Sequence, residues 1–595
     1  MLAFSSLRLW GNLNIFLIFF PRHQVTNLQG VYIIFGAPDS PQPRERSVRY
    51  FEVFVTYLLP HPKERIFVST SYPRPKWLNN AVFYEIYPQS FQDSNGDGIG
   101  DVPGIISRLD YLQELGINAL WLNPLFDSPF KDAGYDVRDY KLVAPRYGTN
   151  EDLVRLFEQA HARGIHVLLD LVPGHTSEEH AWFQSSSRPE PNEFSNRYVW
   201  TDSWIAGGDG YPFIGGETER DGTYILNFFK CQPALNYGWA HPKYPWQDEA
   251  LGEAARKTCD AMVDVMRFWL SAGADGFRVD MANSLVKHDD EGKPYTIKTW
   301  HYMFDQIRPE FPEAAFVAEW GVPHEAVQAG FDMDFYLDWR WDNHPNGYNI
   351  LLRNTNTPYV RENDLSYFNA DAPTDICGFL EQYEPQLRDS EKAEAFFSLI
   401  TCNHDTWRAA PRLSERELSL SWATILTLPG VPFIYYGDEI GLRHQLLPTK
   451  EGGYVRTGAR TPMQWDSTDN LGFSTAPATD LYLPVDASAD APTVAAQRAQ
   501  PDSLWHTVTR VLECKRELPA LAADSGFSVL SAEPNQRLFV FKRENAAQSL
   551  IVAVNPAHTD AEYDLSQERS VRFSIGSAQL TGTTLRMGPQ SFAIL

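Results

Sequence analysis

Three carboxylates stand in a fixed order, each closing a short apolar run. Asp280 ends Gly276-Phe277-Arg278-Val279-Asp280, Glu319 ends Phe316-Val317-Ala318-Glu319, and Asp405 ends Thr401-Cys402-Asn403-His404-Asp405. A short apolar run that ends on a charge reads as a buried parallel strand presenting one functional group at its C-terminal end. A fourth run brings Asp170 and, just beyond it, His175. Clustered carboxylates of unequal proton affinity suit cleavage of a glycosidic bond, where one attacks an anomeric carbon and another starts protonated. Arg278 lies two residues before Asp280 and points to the same side of its strand, so its charge is expected to keep Asp280 ionised. Glu319 adjoins Trp320 and has no cation beside it in the sequence, which predicts a raised pKa. Spacing alone assigns no role to Asp405.

These groups need a scaffold that delivers strand ends to one place. Apolar runs fall at 81–87, 117–122, 165–172, 276–279, 315–318, 331–337, 396–402 and 431–436, with helical stretches between most of them. Residues 105–115 form an amphipathic helix ended by Gly116, 153–163 a helix ended by Gly164, and 504–517 the last barrel helix. Eight strands alternating with helices predict an α/β fold, a (β/α)8 TIM barrel over 76–522. An insertion subdomain at 176–240, after the third strand, is rich in Ser, Gly, Pro, Trp and Asn and would wall the site. Residues 523–595 switch to short alternating segments, as in a C-terminal antiparallel β-sandwich.

Composition narrows the partners. The 595 residues carry 51 Lys plus Arg against 76 Asp plus Glu, a formal charge of −25 that disfavours nucleic acid and anionic membrane surfaces. A neutral small oligosaccharide fits such a surface. Cys231, Cys259, Cys377, Cys402 and Cys514 are odd in number and lack CxxC spacing, so buried thiols and a cytoplasmic location are expected. The apolar stretch 13–20 is far shorter than the ~20 residues that span a bilayer and has no small-residue cleavage site. Residues 1–75 read as a poorly ordered N-terminal extension. No organic cofactor is expected, and the oligomeric state is not legible.

From about residue 76 onward the chain resembles the α-amylase superfamily (glycoside hydrolase family 13), in its α-glucosidase and oligo-1,6-glucosidase branch. The resemblance rests on Gly116-Ile117-Asn118-Ala119-Leu120-Trp121-Leu122-Asn123-Pro124, on 170–175, on 276–280, on Glu319 and on Asn403-His404-Asp405, in order. It implies that Asp280 is the nucleophile, Glu319 the general acid/base and Asp405 the transition-state stabiliser. It further implies that His175 and His404 bind sugar hydroxyls, that Tyr135 stacks on the terminal glucose and that Asp136 holds its 4-hydroxyl. An arginine paired with Asp136 would close the far end of the pocket and impose exo action; Arg460 is the candidate and Arg408 its rival.

The segment Asp93-Ser94-Asn95-Gly96-Asp97-Gly98-Ile99-Gly100-Asp101 places oxygen ligands at alternate positions around glycines, as a hard cation requires. It is not a complete EF-hand, because Gly104 stands at the twelfth position. It resembles the calcium loop after the first strand in this branch, which implies structural Ca2+ held by Asp93, Asn95, Asp97, Ile99 and Asp101; the alternative is an Asx-rich turn without metal. Gly174 stands where the family often has Asn, which removes an oxygen that commonly supports a second calcium site, so that site is not expected; Ala234 stands where a similar block usually carries Asp. Met281, directly after Asp280, matches neither the Val common with α-1,6 preference nor the smaller residues common with α-1,4.

The leading expectation is a retaining exo-α-glucosidase acting on short malto- or isomalto-oligosaccharides. A transglycosylase or isomerase resembling trehalose synthase uses the same residues. A non-enzymatic interaction protein like the transporter heavy chains is the third reading.

Overall fold

The computed structural model describes residues 72–337, 346–353, 365–452 and 456–595, together with the backbone of three short strands, Phe4–Leu7, Ile15–Ile18 and Ile34–Phe35. Those three strands pair antiparallel within a separate unit, Met1–Ile66. The expectation of a poorly ordered extension at 1–75 otherwise falls outside the described residues. Among the described residues no helix is long and apolar enough to cross a membrane.

Eight parallel strands form the centre of the second unit: β1 (Phe83–Ile86), β2 (Ala119–Leu122), β3 (His166–Leu171), β4 (Gly276–Val279), β5 (Ala315–Ala318), β6 (Met333–Phe335), β7 (Phe396–Ser398) and β8 (Phe433–Tyr435). They neighbour one another in chain order, and β8 returns to β1. A parallel bridge between Ile400 and Phe433, with Thr401 N donating to Phe433 O at 3.0 Å, closes the ring between β7 and β8. The strands are apolar on both faces because side chains fill the barrel inside and helices cover it outside. The predicted 105–115 helix is two helices, Val102–Ser107 and Leu109–Leu115, which meet at Arg108. Asp101 caps the first, its carboxylate accepting Gly104 N. Helix Leu504–Glu517 keeps the predicted bounds.

Two glycines are required by geometry. Gly116 ends its helix at φ 100°, the left-handed C-terminal position. Gly276 opens β4 at φ 146°, and a Cβ there would sit 1.9 Å from Ala315 O, so only glycine lets β4 lie beside β5.

The insertion after β3 has one short helix, Ala181–Ser186, and one hairpin, Phe213–Gly215 with Thr223–Ile225. Val199, Ile225, Ala234 and Trp239 form its own small core. The C-terminal region is a five-stranded antiparallel sheet facing a three-stranded one. Along strand Phe539–Glu544 the alternation is readable: Phe539 and Phe541 join the barrel's core, whereas Val540 packs with Leu585 and Met587 between the sheets.

Arg543 from that strand fastens the sandwich to the barrel. Its fully buried guanidinium donates to Thr427 O (2.6 Å), Ala522 O (2.7 Å), Ser525 O (3.1 Å) and Gly526 O (3.3 Å). Thr427 ends a barrel helix and the other three carbonyls line the connection. Arg543→Met should leave these carbonyls short of donors and cost about 3 kcal/mol. Thermal unfolding should show a Tm lowered by several degrees; an unchanged Tm would refute this role for Arg543.

Candidate active site

The strand register carries Arg278 to the centre of the barrel mouth. Arg278 on β4 pairs with Asp170 on β3, and the strand ends deliver Asp280 and Glu319 beside it. The buried guanidinium then meets three carboxylates. Nη1 lies 2.8 Å from Asp170 Oδ1 and 3.1 Å from Asp280 Oδ1, and Nη2 lies 2.6 Å from Glu319 Oε2. Trp121 Nε1 (3.1 Å) and Tyr135 OH (3.0 Å) donate to Asp170 Oδ2. Met281 N donates to Glu319 Oε2 at 3.0 Å; this needs the left-handed backbone that Met281 adopts, φ 41° and ψ 46°.

This corrects two expectations. Glu319 does have an adjacent cation, because β4 and β5 are neighbours and Arg278 reaches across. Nor does Arg278 keep Asp280 ionised by itself. Burial and the Glu319 carboxylate push Asp280 well above the usual carboxylate range, with Arg278 opposing. One guanidinium cannot balance three buried carboxylates, so the charge balance favours a proton on the cluster. Asp170 is itself pushed up to about 6 by burial, against Arg278, Trp121 and Tyr135.

Asp405 occupies different surroundings. Arg456 Nη1 (2.7 Å) and Arg460 Nη2 (2.9 Å) both hold its Oδ1, and His404 Nε2 lies 3.4 Å from Oδ2. Burial raises its pKa, but His404, Arg456 and Arg460 outweigh burial and hold Asp405 well below the usual range. Arg460 also donates to Glu451 and to His404 O. Arg408 pairs with Asp438 at 2.8 Å and donates to Tyr436 O. Neither arginine contacts Asp136, contrary to the expected pairing. Asp136 is fully buried in a local turn, accepting Ser128 Oγ (3.0 Å), Lys131 N (2.9 Å) and Asp132 N (2.9 Å), with burial pushing it to about 6.

The carboxylate that meets an arginine at that end is Asp132, ion-paired with Arg456 and accepting Gln232 Nε2 at 2.7 Å. Sequence reasoning missed both. Asp132 lies three residues before Tyr135 and Arg456 four before Arg460, so each sits just outside a position already singled out. Their meeting joins positions 324 residues apart, which spacing cannot show.

Both histidines are buried and held neutral. Asn227 Nδ2 donates to His175 Nδ1 (2.9 Å), so Nε2 carries the proton that reaches Tyr135 O (3.1 Å), and burial pulls His175 down to about 3. A Cβ at Gly174 would lie 2.9 Å from Asn227 Nδ2, so glycine leaves room for this contact. Phe228, 45% exposed, meets the His175 ring edge-on at 5.9 Å. His404 stacks on Tyr135 (5.4 Å, 12°) and bonds Tyr135 OH through Nε2 (2.7 Å). Its Nδ1 meets Glu85 Oε1 at 2.8 Å. Glu85, a further group the sequence reading missed, is fully buried on β1, and burial pushes its carboxyl well up.

The 93–101 loop carries hard oxygen donors and fits a cation only in part. Gly96 (φ 80°) and Gly98 (φ 88°) curl it, and Asn95 and Asp97 each turn an oxygen to the backbone N–H two residues on. Asp93 and Asp101 already accept backbone and serine donors on both oxygens. Among the described residues no three His, Cys, Asp or Glu side chains form a metal cage. A cation there would depend on Asn95 and the Ile99 carbonyl as well as the acids.

A closed eight-stranded barrel with acidic groups at its strand ends defines a class, and comparison with known proteins agrees. Residues 85–524 match the α-amylase catalytic domain. The chain is 30% identical over 574 residues to an oligo-1,6-glucosidase of Heyndrickxia coagulans, covering 87% of this chain and 99% of the relative. It is 33% identical over 534 residues to the trehalose synthase/amylase TreS of Mycobacterium tuberculosis, covering 83% and 84%. Among solved structures, an inactive double mutant of MutB in complex with isomaltulose superposes with a TM-score of 0.72 at 25% identity, over 88% of this chain and 99% of that one. The chain belongs to the α-amylase family, glycoside hydrolase family 13, and is an enzyme, a glycoside hydrolase. The interaction-protein reading is left without support.

The loop bearing Asp405 rests on an unusual support. Trp407 stacks on His444 at 4.2 Å and 12°, and neither ring nitrogen of the buried His444 meets a protein hydrogen-bond partner. Burial first, then Arg408, Arg412 and Arg353, pull His444 down to about 3. A base with a depressed folded pKa supports folding above its unfolded pKa of about 6.5, and that support is lost as pH falls toward 3. His444→Phe keeps the stack and removes the titration. Its Tm relative to wild type should therefore rise as pH is lowered from 7 to 4; a pH-independent difference would contradict the assignment.

Proposed function

We propose that this enzyme is a retaining, exo-acting α-glucosidase that hydrolyses α-glucosidic bonds of short malto- or isomalto-oligosaccharides. The observation that carries the reading is the sharing of Arg278 by Asp280 and Glu319. Two carboxyls on the terminal nitrogens of one guanidinium are close neighbours, in keeping with the ~5 Å of retaining pairs rather than the wider inverting spacing. They need one proton between them, and the charge balance around Arg278 supplies it. In this reading Glu319 protonates the glycosidic oxygen while Asp280 attacks the anomeric carbon and forms a glucosyl ester. Glu319 then deprotonates a water that releases glucose with retained configuration. Asp405, held ionised by Arg456 and Arg460, stabilises the positive charge that develops on the sugar ring. The Asp132–Arg456 pair favours a closed far end and hence release of one glucose at a time.

The relatives' names include a trehalose synthase, and transfer to a sugar hydroxyl instead of water uses the same residues. Maltose, isomaltose, sucrose, trehalose and soluble starch, with products and anomers followed by NMR, test the reading. Glucose appearing first as the α-anomer is expected, with Asp280→Asn lower by about 10⁴-fold. The β-anomer first, or trehalose and longer sugars as main products, would overturn it.

Structural Ca2+ in the 93–101 loop is part of the same proposal. Chelation should lower the Tm by several degrees and added CaCl2 restore it. A Tm indifferent to both, with no Ca2+ found by mass spectrometry in the purified protein, would remove the metal.

A further inference from the structure

Asp405 is the middle member of a ladder of alternating charge, Asp132–Arg456–Asp405–Arg460–Glu451. The ends are buried, with Asp132 5% and Glu451 3% exposed, whereas the Asp405 side chain is 26% exposed. The ladder thus turns its central carboxylate outward and anchors it from both sides. Arg460 is wholly buried and each of its nitrogens is used: Nε on His404 O (2.8 Å), Nη2 on Asp405 Oδ1 (2.9 Å), and Nη1 on Glu451 Oε2 (2.7 Å) and Tyr87 OH (3.3 Å).

Glu451 comes from the connection that follows β8 and is itself fixed from several directions. It accepts Tyr87 OH on Oε2 (3.0 Å), Gln89 Nε2 on Oε1 (2.8 Å) and Tyr482 OH on Oε1 (2.9 Å). Burial works against its charge, but Arg460, Gln89 and Tyr482 prevail and keep its pKa below the usual glutamate value. Tyr87 lies nearly parallel to the His404 ring at 6.5 Å, so the same network reaches the residue before Asp405.

We propose that Glu451 is a positioning residue for the reaction: it fixes the Arg460 guanidinium, and through it aims the Asp405 carboxylate at the reacting sugar. The proposal rests on the placing of Asp405 in the glucosidase site. Without Glu451 the Nη1 edge of Arg460 keeps only the long Tyr87 contact. A buried guanidinium then turns toward whatever carbonyl or water it can find. Because Nη2 belongs to the same rigid plane, Asp405 loses its alignment as Arg460 turns. A displacement of this size at a group that acts in the transition state lowers kcat more than it weakens ground-state binding.

Glu451→Ala should lower kcat by about 10- to 100-fold on maltose or isomaltose, with KM within about threefold of wild type. In an Arg460→Gln background the same change should add nothing, since Glu451 acts through Arg460. An iminosugar of glucose shape, titrated by calorimetry, reads the aim of Asp405 without turnover, and its Kd should weaken in Glu451→Ala and not further in the double variant. A wild-type kcat in the folded variant, or a loss additive with Arg460→Gln, overturns the proposal. If Glu451→Ala does not fold, Glu451→Gln, which keeps the volume and removes the charge, is judged by the same two readouts. A lower Tm with kcat and iminosugar affinity unchanged marks a merely structural role. The two readings fail separately: an inactive wild type refutes the glucosidase reading, whereas an active wild type with an indifferent Glu451→Ala refutes this one.

Discussion

One guanidinium among three carboxylates is the constraint on which the rest of this molecule depends. Arg278 is buried at the barrel mouth with Asp170, Asp280 and Glu319 at 2.8, 3.1 and 2.6 Å. Burying four charges is costly, and the cost is tolerable only if each lone pair and N–H has a partner and the excess negative charge takes up a proton. A closed parallel barrel meets the first condition at both terminal nitrogens of Arg278, because its register sets neighbouring strand ends side by side, and leaves only Nε of that guanidinium without a hydrogen-bond partner. Surplus carboxylate meets the second. The proton that a glycosidase acid must hold is thus a product of the same charge imbalance that makes the site expensive to fold.

Asp405 obeys the opposite logic. Two arginines converge on it, each shared with one further carboxylate, Asp132 or Glu451, that is more deeply buried. Asp280 is pushed toward the protonated form and Asp405 is held toward the ionised one. Two histidines that both contact Tyr135, His175 and His404, are stripped of charge by burial. As neutral rings they make directional hydrogen bonds without adding positive charge to the site.

The barrel was legible because its strands are apolar on both faces, and β4 and β5 keep the predicted bounds, 276–279 and 315–318. The residues that end strands were legible for the same reason: strand-end charges stand out against apolar runs. Pairings were not. Sequence places Arg278 beside Asp280 but cannot show that β5 brings Glu319 onto the same guanidinium. It places Asp136 next to Tyr135, while the chain uses that aspartate to tie its own turn and sends Asp132 to meet Arg456. Glu85 and Glu451 escaped notice because each is a single charge outside any motif; Glu85 meets His404 from 319 residues away, and Glu451 joins nearby Arg460 to Tyr87 and Gln89 at the other end of the barrel sequence. The break at Arg108 was hidden because both helices bury aliphatic side chains, Val102 and Ile105 in the first and Leu109, Leu112 and Leu115 in the second.

Relatives named as an oligo-1,6-glucosidase and as a trehalose synthase/amylase align with this chain at 30% and 33% identity, so similarity at this level spans more than one named activity. The charged floor offers no reason for that span, since forming and breaking a glucosyl ester needs the same carboxylates whichever hydroxyl accepts the sugar. What differs must lie where water is admitted or excluded. Around the carboxylates the variable surroundings include the insertion after β3, which contributes Asn227 and Phe228 beside His175, and the turn at Met281. These elements are loops with few ionic ties, in contrast to the fixed pairs below them. Selection on acceptor choice can rework such loops without disturbing the charge balance around Arg278. A hydrolase and an isomerase therefore differ in their walls before they differ in their floor.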